Sequence, residues 1–172
     1  MSKSEDGNLR RIKVDTPVEG HNPDGSASEF ARVAAGHCFG CGPDNPQGLH
    51  LHFDIDSTDA ANITATAIVN LTRLHEGPPG YIHGGIIATL MDEAMSKLNR
   101  PFHVIALTRH MAVDYLRPAP LGVPLTLIGR HVSRNGRKLH HAAELRHPDG
   151  TILAEAKGLF LAIDPARMRA GK

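Results

Sequence analysis

Residues 81–96 contain the groups with the clearest chemical potential. This segment reads Tyr81-Ile-His-Gly-Gly-Ile-Ile-Ala-Thr-Leu-Met-Asp92-Glu-Ala-Met-Ser96, and its two glycines, Gly84 and Gly85, fall at the predicted start of a helix. Backbone N–H groups in the first turn of a helix have no helical acceptor and lie at the positive end of the helix dipole. Because glycine lets a ligand approach closely, this turn could bind an anion or a developing oxyanion.

Asp92 is the candidate acid or base. It lies in a stripe of apolar residues at helical spacing, where a carboxylate is costly unless it has a partner or a function. Partial burial would raise its pKa and suit it to general base catalysis. The neighbouring Glu93 points about 100° away around the helix, so we expect Glu93 to be solvated. The alternative is that Asp92 is a plain helix residue or caps a loop, because perturbed carboxylates also occur in structural networks. The apolar stripe around Asp92 comprises Ile86, Ile87, Leu90, Met91, Ala94, Met95 and Leu98.

Cys38 and Cys41 form a Cys-x-x-Cys pair, which is half of a structural zinc site. His50 and His52 share one face of a predicted strand and could complete such a site. However, no second Cys-x-x-Cys pair follows, and the spacing between the two halves is short for a zinc finger. The sequence therefore predicts a structural loop of small residues, with no metal and no cofactor.

The hydrophobic pattern predicts one helix and six strands. Residues 48–56 and 61–69 alternate apolar and polar side chains, which indicates two strands before the helix. The helix is expected at residues 83–98, where Asn99-Arg-Pro101 ends it. Asn135-Gly136 is a strong hairpin signal. The four strands after the helix are expected at residues 104–116, 123–132, 138–144 and 152–163.

One helix beside an antiparallel sheet of five to six strands is an α+β arrangement. We expect one domain over residues 30–164, between a flexible N-terminal tail at residues 1–29 and a C-terminal tail at residues 165–172. A single helix covers only one face of the sheet. The other face and the edges remain available, which favours a homodimer or a dimer of dimers.

Composition excludes several function classes. The 172 residues carry a formal net charge of +1 and no tryptophan, so neither a basic surface nor a set of base-stacking rings points to nucleic acid. The polar N-terminal residues lack the apolar segment of a secretory signal, and no apolar run approaches the length of a membrane span. We therefore expect a cytoplasmic protein that binds neither nucleic acid nor membranes.

The stretch from His83 to Asp92 resembles the helix-opening motif of the PaaI-like hotdog-fold acyl-CoA thioesterases. The resemblance covers roughly residues 37 to 164. It implies a hotdog fold, in which an antiparallel sheet wraps one long central helix, and the hydrolysis of acyl thioesters. The flanking segments that are also similar are Gly77-Pro-Pro-Gly80, Asp114-Tyr-Leu-Arg-Pro118, Gly136-Arg-Lys138 and, in one branch of the family, Cys38-Phe-Gly-Cys-Gly42 with Asn45-Pro-Gln-Gly48-Leu.

The resemblance implies a role for each matching residue. Gly84 would donate its backbone N–H to the thioester oxygen, and Asp92 would act as base or nucleophile toward the carbonyl carbon. Ser96 or Thr108 would orient water. The residues implied as substrate contacts are His83 and Gly85 at the helix start, and Asp114, Arg137 and Lys138 where the family touches coenzyme A.

The chain departs from the family pattern at two places. Gly77 stands where many relatives carry an amide side chain, so a second oxyanion donor is missing or comes from elsewhere. Asp114 and Leu116 replace a common Asn and Lys at the strand end, and an acid there is unfavourable beside phosphates. His83 also has a purely structural interpretation, in which its ring fixes the loop by hydrogen bonds.

Two function classes follow from these residues. The first is an acyl thioester hydrolase, and the alternative is a non-catalytic acyl-CoA-binding protein with the same pocket. Asp92 favours the enzyme, because binding alone does not need a carboxylate. A hotdog hydratase would depend on a different His-centred motif, which the sequence lacks. The acyl chain stays open, as does the choice between coenzyme A and a protein-bound pantetheine as carrier.

Overall fold

The computed structural model describes residues 36–164, so both predicted tails and the first residues of the predicted domain lie outside the described part. Within it, no helix is long and apolar enough to cross a lipid bilayer. Short 3-10 turns occur at Arg73–His75 and Arg100–Phe102. The regular elements are β1 (Asp54–Asp56), β2 (Thr64–Val69), α1 (Gly84–Lys97), β3 (Ile105–Tyr115), β4 (Leu125–Asn135), β5 (Lys138–Arg146) and β6 (Ile152–Ile163).

The six strands form one sheet in the order β1-β2-β4-β5-β6-β3, and every neighbouring pair is antiparallel. After α1 the chain forms β3 at one edge of the sheet, and β6, the final strand in the sequence, pairs with β3. The two edge strands of the sheet are therefore β3 and β1. One central helix against six antiparallel strands confirms the predicted α+β hotdog fold.

The helix α1 packs its apolar stripe against one face of the sheet. Leu90, Met91 and Met95 are fully buried there, and each such side chain contributes about 1.5–3 kcal/mol through its removal from water. Gly129 on β4 permits the close approach, because a Cβ at this position would lie 2.6 Å from the backbone oxygen of Ala94. The stripe predicted from helical spacing is thus the face that fixes α1 over the sheet.

The first predicted strand, residues 48–56, is wrong over most of its length, since β1 spans only its end. His50 adopts a φ of 50°, which interrupts an extended backbone. The N–H of Leu49 donates to the carbonyl of Phe39 at 2.7 Å, so this segment pairs with the loop that contains Cys38 rather than with a strand. The alternation still identified the inward side chains, among them the buried Leu51.

The remaining boundaries agree with the prediction within three residues, and β6 agrees at both ends. The largest shifts, of three residues each, are at the start of β2 and at the end of β4, which continues to Asn135 rather than ending at residue 132. Gly136 has a φ of 56°, so the two-residue turn closes the β4–β5 hairpin directly and the ladder runs up to it. The position of a hairpin turn therefore predicts the ends of its two strands more accurately than the alternation of side chains does.

Candidate active site

Asp92 lies near the middle of α1, half-buried and directed toward β3. The hydroxyl of Thr108 donates a hydrogen bond of 2.6 Å to its Oδ1. Burial raises the pKa of the Asp92 carboxyl, the hydrogen bond from Thr108 lowers it, and the charge of Glu93 raises it further, for a net increase. The partly desolvated carboxylate expected from the sequence is present, and it is held by one hydroxyl donor. Such a group can accept a proton or attack a carbonyl carbon.

Gly84 begins α1 and offers a donor at the positive end of the helix. The ring Nδ1 of His83 accepts the N–H of Gly85 at 2.9 Å and so caps the helix. For the Gly84 N–H, the part of the chain from residue 36 to 164 provides no hydrogen-bonded acceptor. The ring of His83 therefore caps the helix and satisfies the N–H of Gly85, whereas the N–H of Gly84 has no acceptor among residues 36–164.

A bulge in β3 lets this strand contact both parts of the candidate site. The hydroxyl of Tyr115 donates to the backbone oxygen of Gly84 at 3.1 Å. Thr108 and Tyr115 are seven residues apart, so in a regular strand they would point to opposite faces. The register shifts between Thr108 and His110, which marks an extra residue, and both side chains then face α1. Tyr115 was not predicted as a site residue, because a bulge leaves no clear mark in the sequence.

Ser96 lies one turn beyond Asp92, but its hydroxyl donates to the backbone oxygen of Glu93 at 2.9 Å. Among the described residues no hydrogen bond joins it to Asp92. Its oxygen can still accept a hydrogen bond, and Ser96 borders a cavity of about 200 Å³. Of the two hydroxyls expected to orient water, the structure brings Thr108 to Asp92 and leaves Ser96 beside the cavity.

Asp114 is exposed on the sheet face that points away from α1. It borders a shallow groove of about 220 Å³ together with Arg130, Glu144 and Lys157. The neighbouring Tyr115 faces α1, so alternation along β3 directs Asp114 outward. Within one chain, this predicted coenzyme A contact lies apart from Asp92 and Gly84.

Arg137 and Lys138 are exposed at the β4–β5 hairpin. The Nε of Arg137 donates to the backbone oxygen of Ala162 at 2.8 Å, so this side chain also joins the hairpin to β6. The hairpin adjoins the segment after α1, where the guanidinium of Arg134 lies 5.4 Å from the ring centre of Phe102. Within one chain, both predicted phosphate contacts are therefore near the C-terminal end of the helix, whereas Gly84 is at its start.

The expectation that Glu93 is solvated is wrong. Its exposed fraction is 8%, and its carboxylate forms an ion pair with Lys97 one turn later. The loop around Gly40 covers this side of α1 so closely that a Cβ on Gly40 would lie 2.5 Å from Glu93 Oε2. Helical geometry predicts the direction of the side chain correctly, but no sequence pattern indicates that a loop packs there.

Cys41 adjoins the same cavity as Ser96 and could be mistaken for a nucleophile. Burial, partly offset by the charge of Lys97, raises the pKa of the Cys41 thiol to about 12. The thiolate is the nucleophilic form, so this group is poorly suited to attack at neutral pH. The described residues thus leave Asp92, Thr108 and the Gly84 N–H as the groups suited to thioester chemistry.

Comparison with known proteins finds similarity to thioesterases. The sequence model of the Thioesterase superfamily matches residues 79–154. The chain is similar to acyl-coenzyme A thioesterase THEM4 of Xenopus laevis, with 34% identity over 91 residues, which are 52% of this chain and 41% of that protein. The chain thus spans less than half the length of this curated relative.

Solved structures share the fold. Protein RHA08564, described as a thioesterase superfamily protein, has 33% identity and a TM-score of 0.66 over 73% of this chain and 60% of its own. The PaaI protein of E. coli has 21% identity and a TM-score of 0.56 over 65% of this chain and 80% of its own, a likeness of fold. Residues 79–154 are therefore similar to the Thioesterase superfamily, and the fold that the chain shares with these structures is the hotdog fold.

Proposed function

We propose that this protein hydrolyses acyl thioesters, with acyl-CoA as the substrate class. The observation that carries the proposal is the half-buried Asp92, bound by Thr108 on a helix whose first N–H has no acceptor among residues 36–164. A binding protein would gain nothing from a partly desolvated carboxylate at this point. The name of the THEM4 relative, an acyl-coenzyme A thioesterase, supports the same substrate class.

The proposed chemistry uses one carboxylate and one backbone donor. The thioester oxygen accepts the Gly84 N–H, which stabilises the negative charge of the tetrahedral intermediate. Asp92 either takes a proton from water as the water attacks, or attacks the carbonyl itself and forms an anhydride that water then cleaves. Collapse of the intermediate expels the thiolate, which is protonated on release. The products are the free acid and the thiol in both routes.

The proposal includes a site shared between two copies of the chain. Gly84 and Asp92 are eight residues apart on α1, which separates them by roughly 12 Å along the helix axis. One thioester cannot contact both within a single helix. The outer edge of β3 faces no strand among residues 36–164 and carries the exposed Leu107, Tyr115 and Leu116. We propose that a second copy covers this edge and places its α1 antiparallel to the first.

Thiol release from a panel of acyl-CoA esters tests the proposed reaction. We expect a kcat/KM of at least about 10⁴ M⁻¹s⁻¹ for the best ester, in the range typical of enzymes. A coloured thiol reagent follows the product, with the protein at nanomolar concentration so that the exposed Cys38 adds no signal. Matched acyl-pantetheine esters separate coenzyme A from a pantetheine carrier. If acyl-CoA binds but no ester releases thiol above the uncatalysed rate, the protein is a non-catalytic acyl-CoA binder.

Arg137→Ala and Lys138→Ala are each expected to raise KM for acyl-CoA about tenfold and to change kcat by less than twofold. Phosphate contacts far from the carbonyl stabilise bound substrate and transition state alike, so their loss acts on binding. Steady-state kinetics with acyl-CoA and the matched acyl-pantetheine ester measure this, and the second ester should not respond.

Arg73→Ala is the control, because Arg73 has a side chain that is 91% exposed. Lys138→Ala is the cleaner of the two test variants, since Arg137 also bonds the backbone of β6. An unchanged KM for acyl-CoA in both variants would mean that the hairpin is a solvated surface.

A further inference from the structure

A cluster of possible metal ligands lies where the N-terminal loop meets α1. The sulfur atoms of Cys38 and Cys41 and a carboxylate oxygen of Glu93 are all within 4.8 Å of one another. Cys38 is exposed, so an ion could reach the cluster from solvent. Thiolates and a carboxylate are ligands that zinc accepts. None of these three residues takes part in the chemistry proposed for Asp92.

The distances are close to those that tetrahedral zinc requires. Zinc–sulfur bonds of about 2.3 Å and a zinc–oxygen bond of about 2.0 Å place two sulfurs about 3.8 Å apart and sulfur and oxygen about 3.5 Å apart. The two Sγ atoms are 3.6 Å apart. No separation in the cluster exceeds 4.8 Å, so the ligands need to move by little more than about 1 Å at most, which a side-chain rotation supplies.

The loop holds the two thiols in this arrangement without the ion. The N–H of Gly42 donates to the carbonyl of Cys38 at 2.9 Å, which closes the turn around the pair. A Cβ at Gly42 would lie 2.4 Å from the Cys38 nitrogen, so this turn requires glycine. A preformed pair of ligands lowers the entropic cost of binding an ion.

Charge balance also fits a divalent cation. One oxygen of Glu93, Oε1, binds Lys97, while Oε2 faces the loop at Gly40. Zinc, two thiolates, the Glu93 carboxylate and the Lys97 ammonium sum to zero charge. A partly buried site with no net charge avoids the large cost of burying an uncompensated ion. Lys97 is then a positioning residue that orients the carboxylate.

We propose that Cys38, Cys41 and Glu93 bind one zinc ion, with water as the fourth ligand, and that the ion ties the N-terminal loop to α1. Binding releases the two thiol protons. This reverses the expectation of no metal, which rested on the lack of a second Cys-x-x-Cys pair and on the short spacing between the cysteines and His50 and His52. A third ligand that is distant in sequence was not considered. Glu93 supplies that ligand, whereas the ring of His50 contacts the backbone oxygen of Asn45 at 2.6 Å and stays out of the cluster.

Metal content and cobalt spectroscopy of the reduced protein test the site. After equilibration with zinc and removal of loosely bound ion by a weak chelator, elemental analysis should give about one zinc per chain. Cobalt in place of zinc should give the visible bands of a tetrahedral site and thiolate-to-metal charge transfer. Cys38→Ser should remove the charge-transfer band or halve it and weaken zinc binding at least tenfold.

His52→Ala is the matched control and should bind zinc like the wild type, because His52 is outside the cluster. Glu93→Gln should weaken zinc binding at least tenfold while circular dichroism shows an unchanged fold. A fully reduced wild type, with two free thiols by titration, that binds neither zinc nor cobalt would overturn the proposal. Equal zinc binding by Cys38→Ser, or a chain that only forms a Cys38–Cys41 disulfide in air, would overturn it as well.

Discussion

Asp92→Asn is expected to lower kcat for acyl-CoA hydrolysis by about 10³-fold, within the range for loss of a general base or nucleophile. The amide keeps the size of the carboxylate, and its oxygen can still accept the hydroxyl of Thr108. It cannot take a proton from water or attack a carbonyl. Because the substitution leaves the contacts of the bound ester in place, KM should change by less than about threefold. Steady-state thiol release and thermal unfolding of the same preparation measure both effects.

Two companion variants distinguish loss of chemistry from loss of structure. Asp54→Asn makes the same change on an exposed carboxylate of β1 and should leave kcat within twofold. Thr108→Val keeps the shape of the side chain but removes the hydroxyl, and we expect a loss of about tenfold in kcat, since Thr108 positions the carboxylate rather than reacting. If Asp92→Asn retains more than a tenth of the wild-type kcat, the reacting group is another residue.

The parts of the fold that the sequence predicts are those set by local periodicity. Helical spacing identified the buried face of α1, and the predicted strand at residues 152–163 has the bounds of β6. Where a tertiary contact replaces a sheet partner, this reasoning fails. Residues 48–53 alternate like a strand, yet the N–H groups of Gly48, Leu49 and Leu51 donate to the N-terminal loop. Only residues 54–56 join the sheet.

In the candidate site too, residues marked by a local pattern could be predicted, whereas residues placed by tertiary contacts could not. Asp92 and Gly84 could be found because a carboxylate in an apolar stripe and glycines at a helix start are unusual locally. Tyr115 could not, because the bulge that turns it toward Gly84 depends on pairing between β3 and β6. The prediction for Glu93 failed for a related reason. Its position on the helix determines the direction of the side chain, but its burial depends on the loop that packs there, which helical spacing does not predict.

Mixing two inactive variants is expected to restore activity if each site is built from two chains. Asp92→Ala removes the carboxylate, and Gly84→Pro removes the donor N–H. Proline suits the first helical position, and the preceding His83 already has the extended backbone, φ −62° and ψ 136°, that a following proline requires. The nearest atom to a Cβ at Gly84 is in the Tyr115 ring at 3.6 Å, an ordinary contact, so this variant should fold.

A heterodimer of these variants has one site with both groups intact and one site with neither. Random reassociation of equal amounts makes half of the dimers mixed, and each mixed dimer has one working site out of two. Roughly a quarter of the activity of identically refolded wild type should therefore return. A mixture of Asp92→Ala with Asp92→Asn should stay inactive, because no arrangement of those chains supplies a carboxylate. If the first mixture also stays inactive although mass spectrometry shows mixed dimers, each chain contains a complete site, and the roughly 12 Å between Gly84 and Asp92 must be bridged within one helix.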